Sequence, residues 1–306
     1  MPSFGYTGLG TKWLVTINDL LSQDALTEIA KNIKLRISNF HNNYSRFIDN
    51  NFTGTLNTKK VITEFDQEFL DLIIHSQKLK HISNGYFDIS LGSKLENIGY
   101  DKKLKQKVTS KTRSSETLFQ PATKNQCNIS QEIIDQSFLY INTDKIIISK
   151  DVQIDFGGIG KGWLVDKLCN YFRSLGLNKF SINAGGDIYS TMGRFYLEHP
   201  ALNNQMIGYI DIQNQAIGCS SANRRKFNED QHHLINPNSG KSPNNYLAVF
   251  TQAESTTQAD VGSTILFVCP PTSLDIIAKQ IKVEYLLILP DFTFIRSEGY
   301  VGKLFT

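Results

Sequence analysis

Cysteine is scarce in this sequence, and no hydrophobic stretch is long. The four cysteines among 306 residues stand at positions 127, 169, 219 and 269, far apart and without a CxxC pair. This spacing excludes the usual structural zinc sites and gives no reason to expect disulfides. No apolar run approaches the ~20 residues that span a bilayer, and the N-terminus lacks a basic segment followed by an apolar one. The sequence therefore predicts a reduced, cytoplasmic protein with no membrane span.

An excess of one charge is also lacking, because 32 basic and 29 acidic side chains give a formal net charge of only +3. No basic stripe alternates with aromatic residues, so nucleic acid is not an expected partner. The densest basic stretch, residues 101–113, is polar and is interpreted as a solvated loop. Residues 102–130 show no sustained hydrophobic period, and we expect them to form a polar excursion on the surface.

The hydrophobic pattern predicts strands and helices in irregular alternation. We expect helices at residues 24–40, from a cap at Thr63 onward, from the glycine-rich segment to Gly176, and at 257–268 and 273–281. Strands are expected at 12–17, 138–149 (a hairpin), 179–190, 208–213, 215–221 and 284–297. Because no regular βαβ order is present, the pattern favours an α+β fold over a doubly wound sheet.

The segment "IDFGGIGKGWLVDKL" at 154–168 has four glycines between 157 and 162, surrounding Lys161. Its spacing fits neither the dinucleotide fingerprint nor the P-loop. Glycines nevertheless open backbone N–H and C=O groups to a ligand, and the following helix presents its positive end to an anion. The turn therefore either binds a phosphate or only allows tight packing of a strand on a helix.

Three further stretches carry polar groups beside turns or on a helix. The "NAGGDIYS" turn at 183–190 offers Asn183 and Asp187, although such a turn alone is weak support for a site. In "QHHLINPNSGKSP", His233 is either a structural histidine or a group that transfers protons. In "TTQADVGSTILFV", Asp260 and Thr264 lie at i and i+4 on one helix face. They are oxygen ligands of the kind Mg²⁺ takes, unless Thr264 bonds back to its own helix.

Taken in order, these stretches resemble the ApbE family of flavin transferases. The resemblance covers nearly the whole chain, and no single match carries it. The segments similar to the family's motifs are "GLGTKW" at 8–13, "YSRFIDNNFTGTLN" at 44–57, "GYFDISLGSKLENIGYD" at 85–101, "DFGGIGKGWLVD", "NAGGDIY", "HHLINPNSG" and "ADVGSTILFV". The resemblance implies one flavin transferase domain over residues 1–306, with T-fold-related mixed sheets flanked by helices.

Members of this family bind FAD and, with Mg²⁺, cleave its pyrophosphate. They transfer the FMN half to a Thr or Ser hydroxyl of an acceptor protein, forming a phosphoester and releasing AMP. The resemblance implies this activity here, with FAD and the acceptor protein as partners. Two alternatives stay open at this point, an FAD pyrophosphatase that yields FMN and AMP and a non-catalytic FAD-binding protein. The acceptor and the oligomeric state are not predicted.

The resemblance also implies roles for individual residues. Asp260, Thr264 and the Gly158 carbonyl correspond to metal ligands, so the glycine turn is expected to face metal and diphosphate. His233 corresponds to the active-site histidine that takes the acceptor's proton, with Lys161 as a fixed positive charge. The implied FAD-binding residues are Leu9, Phe47, Asp88, Ile89, Ser90, Lys161, Asn183, Gly185, His233 and Leu234.

Several positions depart from the family pattern. The segment "ENIGYD" lacks a tryptophan that is often found there, and "SSANRR" at 220–225 follows the family's pattern only loosely. Leu9 stands where Met is usual, and Asn236 stands where Asp is common, which puts any role for a carboxylate there in doubt. His232 is expected to be exposed and dispensable, although the sequence does not order His232 and His233 securely. Since none of the implied metal ligands is affected, an active enzyme is expected.

Overall fold

The computed structural model of the chain describes residues 2–100, 134–136, 138–142, 144–202, 204–225 and 231–305. The polar excursion expected at 102–130 lies outside these ranges. The described helices are α1 (Gln23–Tyr44), α2 (Phe52–Lys59), α3 (Gln67–Ile82), α4 (Gly92–Asn97), α5 (Gly160–Ser174), α6 (Thr256–Val268) and α7 (Leu274–Ile281). None of them combines the length and the hydrophobicity that crossing a membrane requires.

The strands form three antiparallel sheets, which fits the predicted α+β class. Their bounds are β1 (Ser3–Gly8), β2 (Thr11–Ile17), β3 (Val61–Ile62), β4 (Ile134–Gln136), β5 (Leu139–Ile141), β6 (Ile146–Ile148), β7 (Phe180–Ala184), β8 (Asp187–Ser190), β9 (Gly193–Glu198), β10 (Met206–Ile212), β11 (Gln215–Ser221), β12 (Ala248–Ala253), β13 (Glu284–Ile288), β14 (Phe294–Arg296) and β15 (Lys303–Leu304). The eight-stranded sheet has the order β1-β2-β7-β8-β11-β12-β13-β14, and the smaller sheets have the orders β15-β10-β9 and β3-β6-β5-β4.

The centre of the eight-stranded sheet is buried on both faces. Neighbouring residues of one strand contribute to different cores, because side chains alternate across a strand. Val249 joins the larger core with α1, α3, α5 and α6, whereas Phe250 joins a smaller core with Ile210 of β10. The sheet is therefore a middle layer between helices and the three-stranded sheet.

Helix α1 confirms the predicted helix, and its start is fixed by a side-chain cap. Ser22 accepts a hydrogen bond from Ala25 N at 3.2 Å, and the predicted apolar face is buried against the core.

The predicted start of the next long helix at Thr63 is wrong. Asp66 caps α3 by accepting from Phe69 N at 2.8 Å, while residues 61–62 form β3.

Helices α5 and α6 are in direct contact near their N-termini, and this contact positions the site described below. A Cβ atom on Gly162 would lie 2.5 Å from the Thr256 carbonyl oxygen, so only glycine fits there. The Asp166 carboxylate then accepts from the amides of Thr256 and Thr257 at 2.8 and 2.9 Å. Asp166 of α5 thus binds the first two amides of α6, whose N-cap is Ser255, and fixes the relative positions of the two helices.

Candidate active site

One cleft gathers polar side chains from well-separated parts of the chain. They come from the segment before α4, the start of α5, the β7–β8 turn, the end of β11, the loop before β12, and α6. The lining includes Asp88, Asp155, Gly157, Gly158, Lys161, Gly185, Asp187, Ser220, His233, Leu234, Asp260 and Thr264. The cleft therefore brings the predicted metal ligands, lysine and histidine to one place.

Lys161 connects two buried carboxylates at the floor of this cleft. Its ammonium forms ion pairs with Asp187 Oδ2 and, at 2.9 Å, with Asp260 Oδ1. The second oxygen of Asp260 accepts from Gly162 N at 2.9 Å, and Asp187 Oδ1 accepts from Cys219 N at 3.4 Å. These bonds hold the first turn of α5, the start of β8 and helix α6 together around three charges.

The charge balance of this cluster is negative. Asp187 and Asp260 are 1% and 3% exposed, and the two carboxylates share the single ammonium of Lys161. Burial, followed by repulsion from Asp260, raises the pKa of Asp187 to about 7, against the attraction of Lys161. Burial alone would lower the pKa of Lys161, but the two carboxylates outweigh it and raise that pKa above its ordinary value.

Asp260 and Thr264 lie on the same face of α6 and both line the cleft. Thr264 Oγ1 lies 3.3 Å from Ser220 Oγ, whereas Ser263 Oγ donates to the Asp260 carbonyl at 2.9 Å. It is thus Ser263 whose hydroxyl bonds back to a carbonyl of its own helix. The hydroxyl of Thr264 instead points toward Ser220, which lines the cleft. Ser220 also lies 2.8 Å from Ser263 Oγ, so a chain of hydroxyl groups borders the carboxylate.

The glycines of the turn have two different roles. Gly157 and Gly158 line the cleft, and a Cβ on Gly158 would meet only Phe87, at 3.4 Å. Gly160 instead packs against Phe40, and Gly162 packs against α6. None of the four glycines has a positive φ. The first half of the turn therefore borders the cleft, whereas its second half serves helix packing, so the expectation that the whole turn faces a ligand does not hold for Gly160 and Gly162.

A buried arginine holds the start of this turn. Arg46 pairs through Nε with Asp155 Oδ2, and Asp155 Oδ1 accepts from Gly157 N. The Arg46 guanidinium also stacks on the ring of Phe47, with its Cζ atom 4.3 Å from the ring centroid. Phe47 therefore supports the arginine and is not among the residues that line the cleft.

The two adjacent histidines have different surroundings, because one is buried and the other lines the cleft. His233 and Leu234 line the cleft. His232 is buried at 2% exposure, its Nε2 lies 2.9 Å from the Pro243 carbonyl oxygen, and its ring meets Phe267 edge-on. The expectation that His232 is exposed is wrong. His232 anchors the loop in the protein interior, and His233 faces the cleft.

A sequence model of the ApbE family matches residues 9–287, nearly the whole chain. The chain belongs to the ApbE family. A protein of Haemophilus influenzae named FAD:protein FMN transferase is 23% identical to it, over 95% of this chain and 85% of the relative. A protein of Klebsiella pneumoniae with the same name is 31% identical, over 38% of this chain and 39% of the relative.

Solved ApbE structures have the same fold. The ApbE protein of Thermotoga maritima superposes with a TM-score of 0.75 at 20% identity, covering 97% of both chains. The flavin transferase ApbE of Vibrio cholerae superposes with a TM-score of 0.73 at 16% identity, over 97% of this chain and 96% of the other. These likenesses support the predicted fold class.

Asn236, a departure from the ApbE pattern, has a structural role that needs an amide. Its Nδ2 donates to the Val268 carbonyl at 2.9 Å, and its Oδ1 accepts from Asn238 N at 2.9 Å. A carboxylate could not donate to Val268. The amide therefore ties the histidine loop to the end of α6.

Several residues that the ApbE resemblance implicated in FAD binding do not line the cleft. Leu9 occupies the left-handed turn between β1 and β2, with a φ of 52°, and Ile89 is buried in the core. Ser90 donates its backbone N–H to Asp88 Oδ1 at 2.8 Å and so orients a cleft residue. Asn183 lines a neighbouring groove, where its Oδ1 accepts from Gly186 N at 2.9 Å.

The cleft residues that received no role in the predicted ApbE site include Asp155, Asp187 and Ser220, although Asp187 had been noted as a polar group of its turn. Asp155 and Asp187 stand inside the motifs "DFGGIGKGWLVD" and "NAGGDIY", so their position in a motif was the available signal. The signal for Ser220 was weaker, because it begins "SSANRR", a segment that follows the family pattern only loosely.

Proposed function

We propose that this chain transfers the FMN half of FAD to a Thr or Ser hydroxyl of an acceptor protein and releases AMP. Relatives named FAD:protein FMN transferase support this activity, and one of them aligns over 95% of the chain. The observation that carries the proposal is the buried cluster of Lys161, Asp187 and Asp260 in the same cleft as His233. Such a cleft combines sites for a cation and a proton acceptor.

The residues of the cleft fit a divalent cation. Two buried carboxylates with one ammonium leave negative charge that a cation would neutralise. Asp260, Thr264 and the Gly158 carbonyl would hold Mg²⁺, since all three offer hard oxygen ligands. Within the described ranges no three His, Cys, Asp or Glu side chains cluster around a metal position. Water and phosphate oxygens would therefore complete the shell, and bound Mg²⁺ would offset charge on the diphosphate.

The protein's own groups account for the remaining steps. Gly157 and Gly158 leave room for the diphosphate at the cleft wall. The acceptor oxygen forms a bond to the FMN phosphorus while the bond from that phosphorus to the bridging oxygen breaks. AMP leaves with the bridging oxygen, and the hydroxyl proton passes to the imidazole of His233. Lys161 keeps Asp187 and Asp260 oriented and adds positive charge beside the diphosphate.

Mass spectrometry of acceptor proteins tests this proposal. The purified chain is incubated with FAD, MgCl₂ and a protein extract, and tryptic peptides that carry a phosphoester-linked FMN are sought. We expect a Thr or Ser peptide to gain FMN, with one AMP released per label. Rapid AMP release without any protein acceptor would support the pyrophosphatase alternative. FAD binding without AMP release would support the alternative of a non-catalytic FAD-binding protein.

The cytoplasmic location stays a prediction from the sequence, and cell fractionation would test it. If the chain acts there, its acceptors are cytoplasmic proteins or domains that face the cytoplasm. Labelled peptides from such proteins would support this, whereas recovery of the chain outside the cytoplasm would contradict it.

A further inference from the structure

A groove outside the cleft runs along the outer edge of β9. Its lining includes residues 195–198 of β9 and residues 12–14 of β2. Gly185 and Cys219 line both this groove and the cleft. The groove therefore adjoins the site where the proposed reaction takes place.

The part of the lining formed by β9 is a strand edge. In the described three-stranded sheet β9 is a terminal strand, paired with β10 on its other side. Four consecutive β9 residues border the groove, although side chains of a strand alternate between its faces. It is thus the backbone edge that faces the groove. Such an edge is a template on which another extended segment can pair.

Apolar side chains are exposed at the same place. Leu14 of β2 and Tyr196 of β9 both line the groove and are 51% and 58% exposed. Lys12 and Glu198 add one charge of each sign to the lining. The other apolar residues of the lining, such as Leu197 and Phe250, are buried in the smaller core. Two exposed apolar side chains and two charges beside a strand edge suit a polypeptide, since a peptide can use all three features at once.

We propose that the acceptor protein binds in this groove as an extended segment that pairs with the edge of β9. Its Thr or Ser hydroxyl then enters the cleft past Gly185 and Cys219. This inference rests on the proposed function, because only a transferase needs a protein segment at this site. It adds the location and the binding mode of the acceptor.

Steady-state kinetics with a synthetic peptide test the inference. The probe is the flavinylated peptide found by mass spectrometry, made without the flavin. We expect Tyr196→Ala and Leu14→Ala each to raise the KM for the peptide by about tenfold, while the dissociation constant for FAD keeps its wild-type value. Phe294→Ala is the matched control, because Phe294 is also an exposed aromatic residue (51%) on an edge strand, β14. It should leave the KM unchanged.

Hydrogen exchange of the backbone amides gives a second measurement, which does not depend on replacing side chains by alanine. Peptide binding should slow exchange in residues 193–198 and leave residues 294–296 unchanged. An unchanged KM in both groove variants, or weaker FAD binding in them, would overturn the inference. A wild-type chain that labels no protein would instead contradict the proposed function itself.

Discussion

Lys161 Nζ lies 2.9 Å from Asp260 Oδ1, so the lysine of the glycine turn forms an ion pair with the carboxylate that is proposed to bind metal. The same ammonium pairs with Asp187. Folding therefore buries two carboxylates, and a single ammonium group compensates their charge only in part. This arrangement makes the stability of the protein sensitive both to Lys161 and to cations.

Replacing Lys161 by Met should destabilise the metal-free protein. Removing one partner of a buried ion pair leaves uncompensated charge, and we expect the free energy of unfolding to fall by about 3 kcal/mol. Urea denaturation measures this value. Because Mg²⁺ can supply the missing charge, adding MgCl₂ should stabilise Lys161→Met more than the wild type. Equal stabilisation of both proteins would contradict a cation site at the cluster.

The pH dependence of cation binding should follow Asp187. Burial and repulsion from Asp260 raise the pKa of Asp187 to about 7, above its unfolded value. The folded metal-free protein thus holds a proton that the unfolded chain releases, so this group's contribution to stability falls as pH rises toward 7. A cation competes with that proton. Stabilisation by Mg²⁺ should therefore be larger at about pH 8 than at about pH 6.

Melting temperatures with and without MgCl₂ at the two pH values check this expectation. Asp187→Asn serves as the comparison, since its amide does not titrate. The pH dependence of the Mg²⁺ effect should be reduced in this variant, and an unchanged dependence would assign the effect to another group.

Two glycine substitutions should separate packing from ligand binding. Alanine at Gly162 places a Cβ 2.5 Å from the Thr256 carbonyl oxygen, and overpacking of this kind costs about 1–3 kcal/mol of stability. Alanine at Gly158 meets only Phe87 at 3.4 Å, so the fold should persist. Its methyl group would instead enter the cleft and weaken FAD binding. Thermal melts and FAD titrations measure the two effects, and a stable Gly162→Ala protein would disprove the packing argument.

The adjacent histidines provide a second matched pair. His233→Ala should keep the stability of the wild type and slow FMN transfer by about 10²- to 10⁴-fold, since a general base is lost. His232→Ala should lower stability by about 1–3 kcal/mol, because the buried contacts to Pro243 and Phe267 disappear. The reverse pattern, an unstable His233 variant and an inactive but stable His232 variant, would exchange the two roles.

Local patterns predicted the parts of the site that lie on single elements. Helical spacing placed Asp260 and Thr264 on one face of α6, and the glycine turn marked the start of α5. The pair of Arg46 and Asp155 joins residues 109 positions apart, which no periodicity reveals. Which of the two histidines is buried also depends on the contact between His232 and Phe267, and only the folded chain makes that contact.

Helix α2 and strand β12 are among the elements that the sequence pattern did not predict, and each has a physical reason. Helix α2, "FTGTLNTK", contains glycine and three threonines, which are poor helix formers. Its position is set by packing, since a Cβ on Gly54 would lie 2.0 Å from the Ile48 carbonyl oxygen. Strand β12 is buried at all six positions, so it has none of the alternation that identifies a strand in a sequence.

The rate of FMN transfer by Asp260→Asn shows whether the reaction requires the buried carboxylate of α6. The amide keeps the size of the side chain, and Asp211→Asn, at an exposed ion pair with Arg194, is the control. The rate is measured by intact-mass spectrometry of the labelled acceptor with FAD and MgCl₂. We predict that Asp260→Asn folds but transfers FMN about 100-fold more slowly or worse, while the control matches the wild type. Transfer by Asp260→Asn at the wild-type rate would contradict the proposed site.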